Sequence, residues 1–382
     1  MATPTDRDVV QSSNLGWDAG WAEAFALFAA AGRRPARVLA VHKETSIVAD
    51  ADGRTRSAGV SGKFRFEALA PSDFPAVGDW VALEPEINGT GATSDDQAVI
   101  AAVLPRRSAF RRRAADSNRR SSGLLADEQV MASNVDLALL VAGLDGDFSL
   151  RRQERYLAVA WSSGVSPVMV LNKADLGVDV QGRRVAIEAI APGVPVVTLS
   201  ALTGDHLADL GEHLRPGRTA VVLGSSGVGK STLVNALLGE ARQAVKPVRE
   251  DDSRGRHTTT HRELFRLPGG ALLIDTPGIR SLEVAGADEG VDTAFDDITE
   301  LATGCRFTDC LHAGEPGCAV RAALADGRLS EDRLRSHRKL ERELAHAQRK
   351  EDPRARAAHK REWRLINEVV NEHMDRKYGA DR

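Results

Sequence analysis

The spacing of apolar positions changes along the chain, and each change marks a different kind of element. Trp17, Trp21, Phe25 and Phe28 recur every three or four residues, which predicts one amphipathic helix docked on its neighbour. Short β-prone runs follow at 37–42, 45–49, 64–68, 79–83 and 98–103, divided by Asp52–Gly53, Ser61–Gly62, Val77–Gly78 and a glycine-rich loop at 88–91. Five short strands in so small a stretch suit a barrel of the oligonucleotide-binding type (OB-fold). From Asn134 the pattern becomes alternating. Largely apolar runs at 135–142, 167–171, 194–199, 220–223 and 271–274, broken only by Asp136 and Thr198, are interleaved with helical stretches such as 150–162 and 232–238. Strands without a polar side predict a parallel α/β sheet covered on both faces. Beyond about residue 293 come three cysteines and then helical periodicity. Leu334, Leu340 and Leu344 suit one helical piece and Trp363, Ile366 and Val370 another, with Pro353 between them.

Composition narrows this picture. A chain of 382 residues predicts two or three domains, and 42% hydrophobic with 27% charged residues is ordinary for a folded protein. No apolar run approaches the roughly 18 residues of a membrane span, and the first residues predict no secretory leader. The formal charge of −3 conceals local bias. Residues 105–122 carry seven arginines against one acid, Asp116, and residues 330–382 carry 15 Lys/Arg against 11 Asp/Glu. The arginine run reads equally as a solvated linker or as a flexible basic strap for a phosphate backbone, since arginine pairs with phosphate without a packed fold.

The candidate chemistry lies in the alternating region. Gly224, Ser225, Ser226, Gly227, Val228, Gly229, Lys230 and Ser231 spell G-x-x-x-x-G-K-S after one apolar run and before a helical stretch opening at Thr232. That context makes a phosphate-binding loop: glycines expose N–H groups, and the helix N-terminus adds partial positive charge. Lys230 suits the β- and γ-phosphates and Ser231 a Mg²⁺ ion. Asp275, Thr276, Pro277 and Gly278 follow the next apolar run, where an aspartate holds the Mg²⁺ water shell and Gly278 offers an N–H to a γ-phosphate. Asn172, Lys173, Ala174 and Asp175 supply base choice. The Asp175 carboxylate accepts the N1–H and 2-amino group of guanine, which adenine does not present. Asn172 suits the other base edge and Lys173 the ring face and a brace on the phosphate loop, while Ser200 and Ala201 are placed to give a backbone N–H to the guanine carbonyl.

The guanine motif precedes the phosphate loop, the reverse of the usual order, as circular permutation of one sheet would produce. This order resembles the circularly permuted GTPases, and the match extends to the family of ribosome small-subunit-dependent GTPase A (RsgA). It is carried by residues 104–108, Asn134-Val-Asp136, Leu144-Asp-Gly-Asp147, Leu150-Arg-Arg152, Arg256-His-Thr-Thr-Thr260 and the cysteine cluster, and it spans about residues 35–375. The resemblance implies an N-terminal extension (1–34), an OB-fold RNA-binding domain (35–107), a permuted GTPase domain (108–293) and a zinc-binding, mostly helical domain (294–382). It implies GTP hydrolysis to GDP and phosphate, stimulated by the small ribosomal subunit, with a cytoplasmic role in late maturation of that subunit through its rRNA. Nothing in the sequence asks for more than a monomer. A metabolite kinase and a zinc-dependent nucleic-acid regulator are the competing readings, and the guanine motif disfavours the first.

The polar stretch 241–266 predicts a switch segment. Within it Thr258 or Thr259 is expected to meet Mg²⁺ and the γ-phosphate. The residue after Asp-x-x-Gly is Ile279, which cannot orient water, so slow intrinsic turnover is expected and His257 is the nearest candidate to act on water. Cys305, Cys310, His312 and Cys318 offer three thiolates and an imidazole within fourteen residues, a closed tetrahedral set for one structural Zn²⁺.

Overall fold

The computed structural model describes residues 15–42, 45–50, 53–85, 97–113, 128–177, 179–239, 262–275 and 288–351. Helix α1 (Ala19–Ala30) is capped by Asp18, whose carboxylate accepts the Trp21 N–H at 2.9 Å. It buries Trp21 and Phe25 against Trp80, Ala82 and Leu104, and Arg107 lies 4.0 Å over the Trp21 ring while its fork meets both Asp18 oxygens.

Strands β1 (Arg34–Val41), β2 (Ser46–Asp50), β3 (Thr55–Val60), β4 (Trp80–Leu83) and β5 (Ala98–Val103) close into a barrel. Only β3 and β5 run parallel; β4 returns to pair with β1 and closes the ring. Ala36, Val38, Val48, Ala58, Val81 and Ile100 fill it. One expected strand is wrong. Residues 64–68 lie on helix α2 (Gly62–Glu67) and its C-cap, not on a strand, because the Ser61 hydroxyl accepts the Phe64 N–H and starts a helical turn. The alternation of Phe64 and Phe66 imitated a strand, yet Phe64 packs on Phe74 and Phe66 is exposed. The true third strand, β3, escaped notice because Ala58 is its one fully buried side chain.

The arginine run is also corrected. Arg106 is bidentate to Asp79, which is wholly buried, and it also donates to the carbonyls of Ser72 and Phe74. Arg111, Arg112 and Arg113 lie in β6 (Ala109–Arg113), paired with β7 (Glu128–Ser133). In the described part of the run Arg106 and Arg107 are therefore held by acids and Arg111–Arg113 lie on paired backbone, not a loose strap; Arg119 and Arg120 lie outside the described residues.

The second half builds a doubly wound layer. Its elements are β8 (Leu137–Gly143), α3 (Leu150–Ser162), β9 (Ser166–Asn172), α4 (Val180–Ile190), β10 (Val196–Thr198), β11 (Thr219–Gly224), α5 (Lys230–Leu238), β12 (Glu263–Arg266) and β13 (Leu272–Asp275). The order β10-β9-β8-β11-β13 is parallel throughout, and β12 adds antiparallel to β13 and touches β1 through Glu263 and Ala40. Along β8 the side chains alternate: Ala138, Leu140 and Ala142 enter one core with Leu157 and Ile187, while Leu137, Leu139 and Val141 enter another with Leu233 and Val234. This is why the run has no polar side. Residues 263–266, expected in the switch, are instead strand β12, whose antiparallel pairing with β13 buries only Leu264.

Helices α6 (Asp288–Ala294), α7 (Asp296–Thr303), α8 (Ala319–Ala325) and α9 (Glu331–Glu351) share a third core built from Val291, Phe295, Ile298, Val320, Leu334 and Leu340, with Ala158 of α3. At Gly290 a Cβ would stand 2.1 Å from the Ala158 carbonyl oxygen, so glycine permits this close approach of α6 to α3. Glu154 of α3, 4% exposed, receives Arg333 Nη1 at 2.8 Å and the Ser336 hydroxyl; Arg333 also grips Asp297 and the Ala294 carbonyl and stacks on Phe295.

Candidate functional site

The parallel strands β8, β9, β10, β11 and β13 deliver the predicted motifs to one edge, the carboxyl ends of the sheet, where open α/β folds bind ligands. Gly224 ends β11, Asn172 ends β9, Asp275 ends β13, and Ser200 lies just past β10. Gly229 has φ +92° and opens α5; a side chain there would strike the Asn172 amide at 2.4 Å. Lys230, first in α5, folds back on the carbonyls of Gly224 (2.8 Å) and Ser225. Ser231 and Thr232 continue the first turn, half buried, and Ser226 and Gly227 are exposed at the loop tip.

Asn172 is 2% exposed, and its amide joins two halves of the site. Its Nδ2 donates to the Val228 carbonyl at 2.8 Å, and its Oδ1 accepts the Ala201 N–H at 2.9 Å. It thus braces the phosphate loop and the Ser200–Ala201 turn. Of the two N–H groups expected to serve a guanine carbonyl, Ser200's donates to Asp205 O at 3.0 Å and Ala201's to Asn172. Asp175 is exposed, not buried, with Oδ1 held at 2.6 Å by the Ser200 hydroxyl. Lys173, in the left-handed region at φ +68°, pairs with Asp145 Oδ2 at 2.5 Å; its brace runs to the loop after β8, not to the phosphate loop. Burial raises the Asp145 carboxyl, but the Lys173 ammonium and the Asp147 N–H outweigh it and hold it below the usual carboxylate range.

Sequence reasoning gave no role to the loop after β8. Asp145 holds Lys173 of the guanine motif, while Asp147 accepts the Ser225 hydroxyl of the phosphate loop at 2.8 Å. Arg152 donates to Asp147 Oδ2 at 2.7 Å and to Ser225 Oγ at 3.0 Å, and Arg183 caps the Asp145 carbonyl at 3.0 Å. The available signal was position, since both acids follow a parallel strand at its carboxyl end. His257, Thr258, Thr259 and Gly278 lie outside the described residues.

The cysteine cluster assembles beside α8 and α9. The ligand atoms of Cys305, Cys310, His312 and Cys318 all lie within 4.8 Å of one another. His312 Nδ1 is 3.4 Å from Cys318 Sγ and 3.6 Å from Cys305 Sγ, and these sulfurs are 3.9 Å apart. A tetrahedral zinc ion with Zn–S about 2.3 Å and Zn–N about 2.0 Å sets its ligand atoms roughly 3.5–3.8 Å apart, so the separations among Cys305, His312 and Cys318 suit that ion and Cys310 completes a donor set of the right softness. The loop is pinned independently of metal. Glu315 accepts the N–H groups of Leu311, Ala313 and Gly314, and these backbone donors, Gly314 first, pull its carboxyl down to about 2. Arg338 of α9 donates to the His312 carbonyl at 2.6 Å, holding a histidine whose φ is +58°.

Comparison with known proteins agrees with this geometry. Residues 103–285 match the family model described as RsgA GTPase. The chain is 50% identical over 357 residues to "Small ribosomal subunit biogenesis GTPase RsgA" of Opitutus terrae, covering 93% of this chain and 95% of that protein. It is 44% identical over 376 residues to the protein of the same description from Streptomyces coelicolor, covering 97% and 96%. Among solved structures, YjeQ from Thermotoga maritima aligns with TM-score 0.59 and 29% identity, covering 82% of this chain and 98% of that one. YloQ, described as a circularly permuted GTPase, shares the fold at TM-score 0.55 and 24% identity, covering 82% and 95%. With the guanine motif on β9 ahead of the phosphate loop on β11, in one continuous sheet, the chain belongs to the RsgA family of circularly permuted GTPases.

Proposed function

We propose that this chain binds GTP between Asn172–Asp175, Ser200–Ala201 and the loop Gly224–Thr232, hydrolyses it to GDP and phosphate, and couples that turnover to late maturation of the small ribosomal subunit. The observation that carries the reading is the Asn172 amide, which locks the base-selecting turn to the phosphate loop across β9 and β11. Asp175 would select guanine, with Ser200 presenting its carboxylate; Lys173 would flank the base. Ser231 and Asp275 would hold Mg²⁺ and its water shell, Thr258 or Thr259 and Gly278 would meet the γ-phosphate, and His257 would act on the attacking water. The division into an extension (1–34), OB-fold (35–107), GTPase domain (108–293) and zinc-binding helical domain (294–382) is part of the same proposal, with Cys305, Cys310, His312 and Cys318 holding one structural Zn²⁺. The barrel, β6–β7 and the basic C-terminal helices would then anchor on rRNA around the switch. No helix among the described residues is long and apolar enough to cross a membrane, and the proposed site of action is the cytoplasm, as a monomer.

The test is GTP turnover with and without purified small subunits. Stimulation is expected, and His257→Ala should abolish most of it while leaving GTP binding near normal. Absence of stimulation by the subunit would overturn the ribosomal assignment, and absence of any GTP turnover the enzymatic one.

A further inference from the structure

Helix α3 opens with an arrangement that local energetics disfavour. Its first turn is Leu150, Arg151 and Arg152, with no acid, at the end where the helix dipole is positive. Two cations persist at such a place when something else holds them. Arg151 is held by Asp332 of α9 at 2.8 Å. Arg152 turns the other way, toward the phosphate loop. Its Nη1 makes all its contacts: Asp147 Oδ2 at 2.7 Å, Asp147 O at 3.1 Å and Ser225 Oγ at 3.0 Å. Its Nε and Nη2 meet no acceptor among the described residues, and the side chain is 34% exposed. A guanidinium has five donors in a fixed fork matched to phosphate oxygens. Here one nitrogen is anchored on the second residue of a phosphate-binding loop and, among the described residues, the rest of the fork is unspent.

We propose that Arg152 is a catalytic arginine supplied in cis, which stabilises the transferred phosphoryl group, and that Asp147 holds it in reserve. This rests on the GTPase reading above. In the reaction the water oxygen bonds to the γ-phosphorus as the bond from that phosphorus to the β–γ bridging oxygen breaks. The electron pair leaves on GDP, and both water protons end on the inorganic phosphate, so GTP⁴⁻ and H₂O give GDP³⁻ and H₂PO₄⁻. Negative charge spreads over the γ-phosphoryl oxygens and the leaving oxygen along that path, where a preorganised guanidinium acts most strongly. In this structure Asp147 competes for the same guanidinium. Exchange of Asp147 for phosphate oxygens requires rotation of one side chain already in contact with the loop. The Asp147 pair therefore gives a physical reason for slow turnover until a partner reorders the site, alongside the missing glutamine at Ile279.

The full-length protein tests this with Arg152→Ala, Arg152→Lys and Asp147→Asn, measured for single-turnover GTP hydrolysis with and without small subunits. A second readout is trapping of fluorescent GDP by aluminium fluoride, a mimic of the transferred phosphoryl group. Arg152→Ala should lower the stimulated rate roughly 30-fold or more, the gap between unassisted and cis-arginine GTPases. It should also abolish fluoroaluminate trapping while leaving GDP affinity within about twofold. Arg152→Lys should recover only part, because an ammonium lacks the fork. Asp147→Asn should raise the unstimulated rate severalfold, and Arg152→Ala combined with it should cancel that rise. Wild-type stimulated turnover and intact trapping in Arg152→Ala would overturn the catalytic role. An unchanged unstimulated rate in Asp147→Asn would overturn the reserve role. If the wild-type protein turns over no GTP in either condition, the GTPase reading fails as a whole, a result separable from both.

Discussion

Replacing Arg333 by methionine removes one guanidinium from the seam between α3 and the C-terminal helices while keeping most of its apolar stem. Glu154 then stays 4% exposed with only the Ser336 hydroxyl to satisfy it. Breaking a buried ion pair from one side costs about 3–5 kcal/mol. The Ser336 bond offsets part of that, since a hydrogen bond to a charged group is worth about 1.5–3 kcal/mol. Asp297, 43% exposed, recovers its hydration and adds little. The lost stacking of Arg333 on Phe295 at 4.4 Å adds about 0.5–2 kcal/mol. The net expectation is a loss of about 2–4 kcal/mol, confined to this seam. Hydrogen exchange followed by mass spectrometry resolves it where a single global transition would not. Amides of α9 and the second half of α3 should exchange about 30- to 700-fold faster, at tenfold per 1.4 kcal/mol, with the barrel unchanged. Glu154→Met combined with Arg333→Met should be milder than Arg333→Met alone, because no uncompensated charge remains. Less than threefold acceleration in α9, or a double variant as labile as the single one, would show that Glu154 does not depend on Arg333.

Metal analysis should find one zinc per chain, and Cys310→Ser or a strong chelator should melt the α8–α9 region; a circular-dichroism melt indifferent to chelation would reject the structural zinc. Asp175→Asn should weaken GTP binding about 10²–10⁴-fold, the worth of two hydrogen bonds to a carboxylate, without altering ATP binding; a change under fivefold in a fluorescent-nucleotide titration would remove Asp175 from base selection. His337 is packed edge-on against Phe295, and burial depresses its pKa below the ordinary 6.5 despite the nearby Glu341 and Asp292. The unfolded chain therefore binds the proton first as pH falls below 6.5, and the helical core should lose stability there until the folded imidazole also protonates. His337→Phe should flatten that segment of a thermal-melt series against pH, and an unchanged slope would count against it.

Much of this protein was legible without coordinates because its signals are local. The phosphate loop, the guanine motif and the parallel strands each depend on a few consecutive residues whose chemistry does not wait on a distant partner. The apolar runs on β8, β9 and β11 are unbroken because both faces of that sheet are buried. The spacing of the three cysteines and His312 is local in the same way, within residues 305–318. Elements whose fate depends on partners far along the chain were misread or missed. β3 is a strand because barrel closure supplies hydrogen-bond partners to a sequence with little apolar pattern, whereas the helix at 62–67 was hidden by the strand-like alternation of Phe64 and Phe66 although its Ser61 cap is local. Arg106 is indistinguishable in sequence from its neighbours in the arginine run, yet it neutralises the buried Asp79, 27 positions away.

Consecutive residues alone set the permuted order of the nucleotide motifs, the kind of sheet that carries them and the composition of the cluster of three cysteines and one histidine. Tertiary structure alone decided that Asn172 braces the phosphate loop, that Asp145 and Asp147 join the two halves of the site, and that Arg152 lies on the phosphate loop. The physical reason is that the identity of a side chain fixes which bonds it can make, but the parallel register of β8, β9 and β11 fixes which of its candidate partners is within reach.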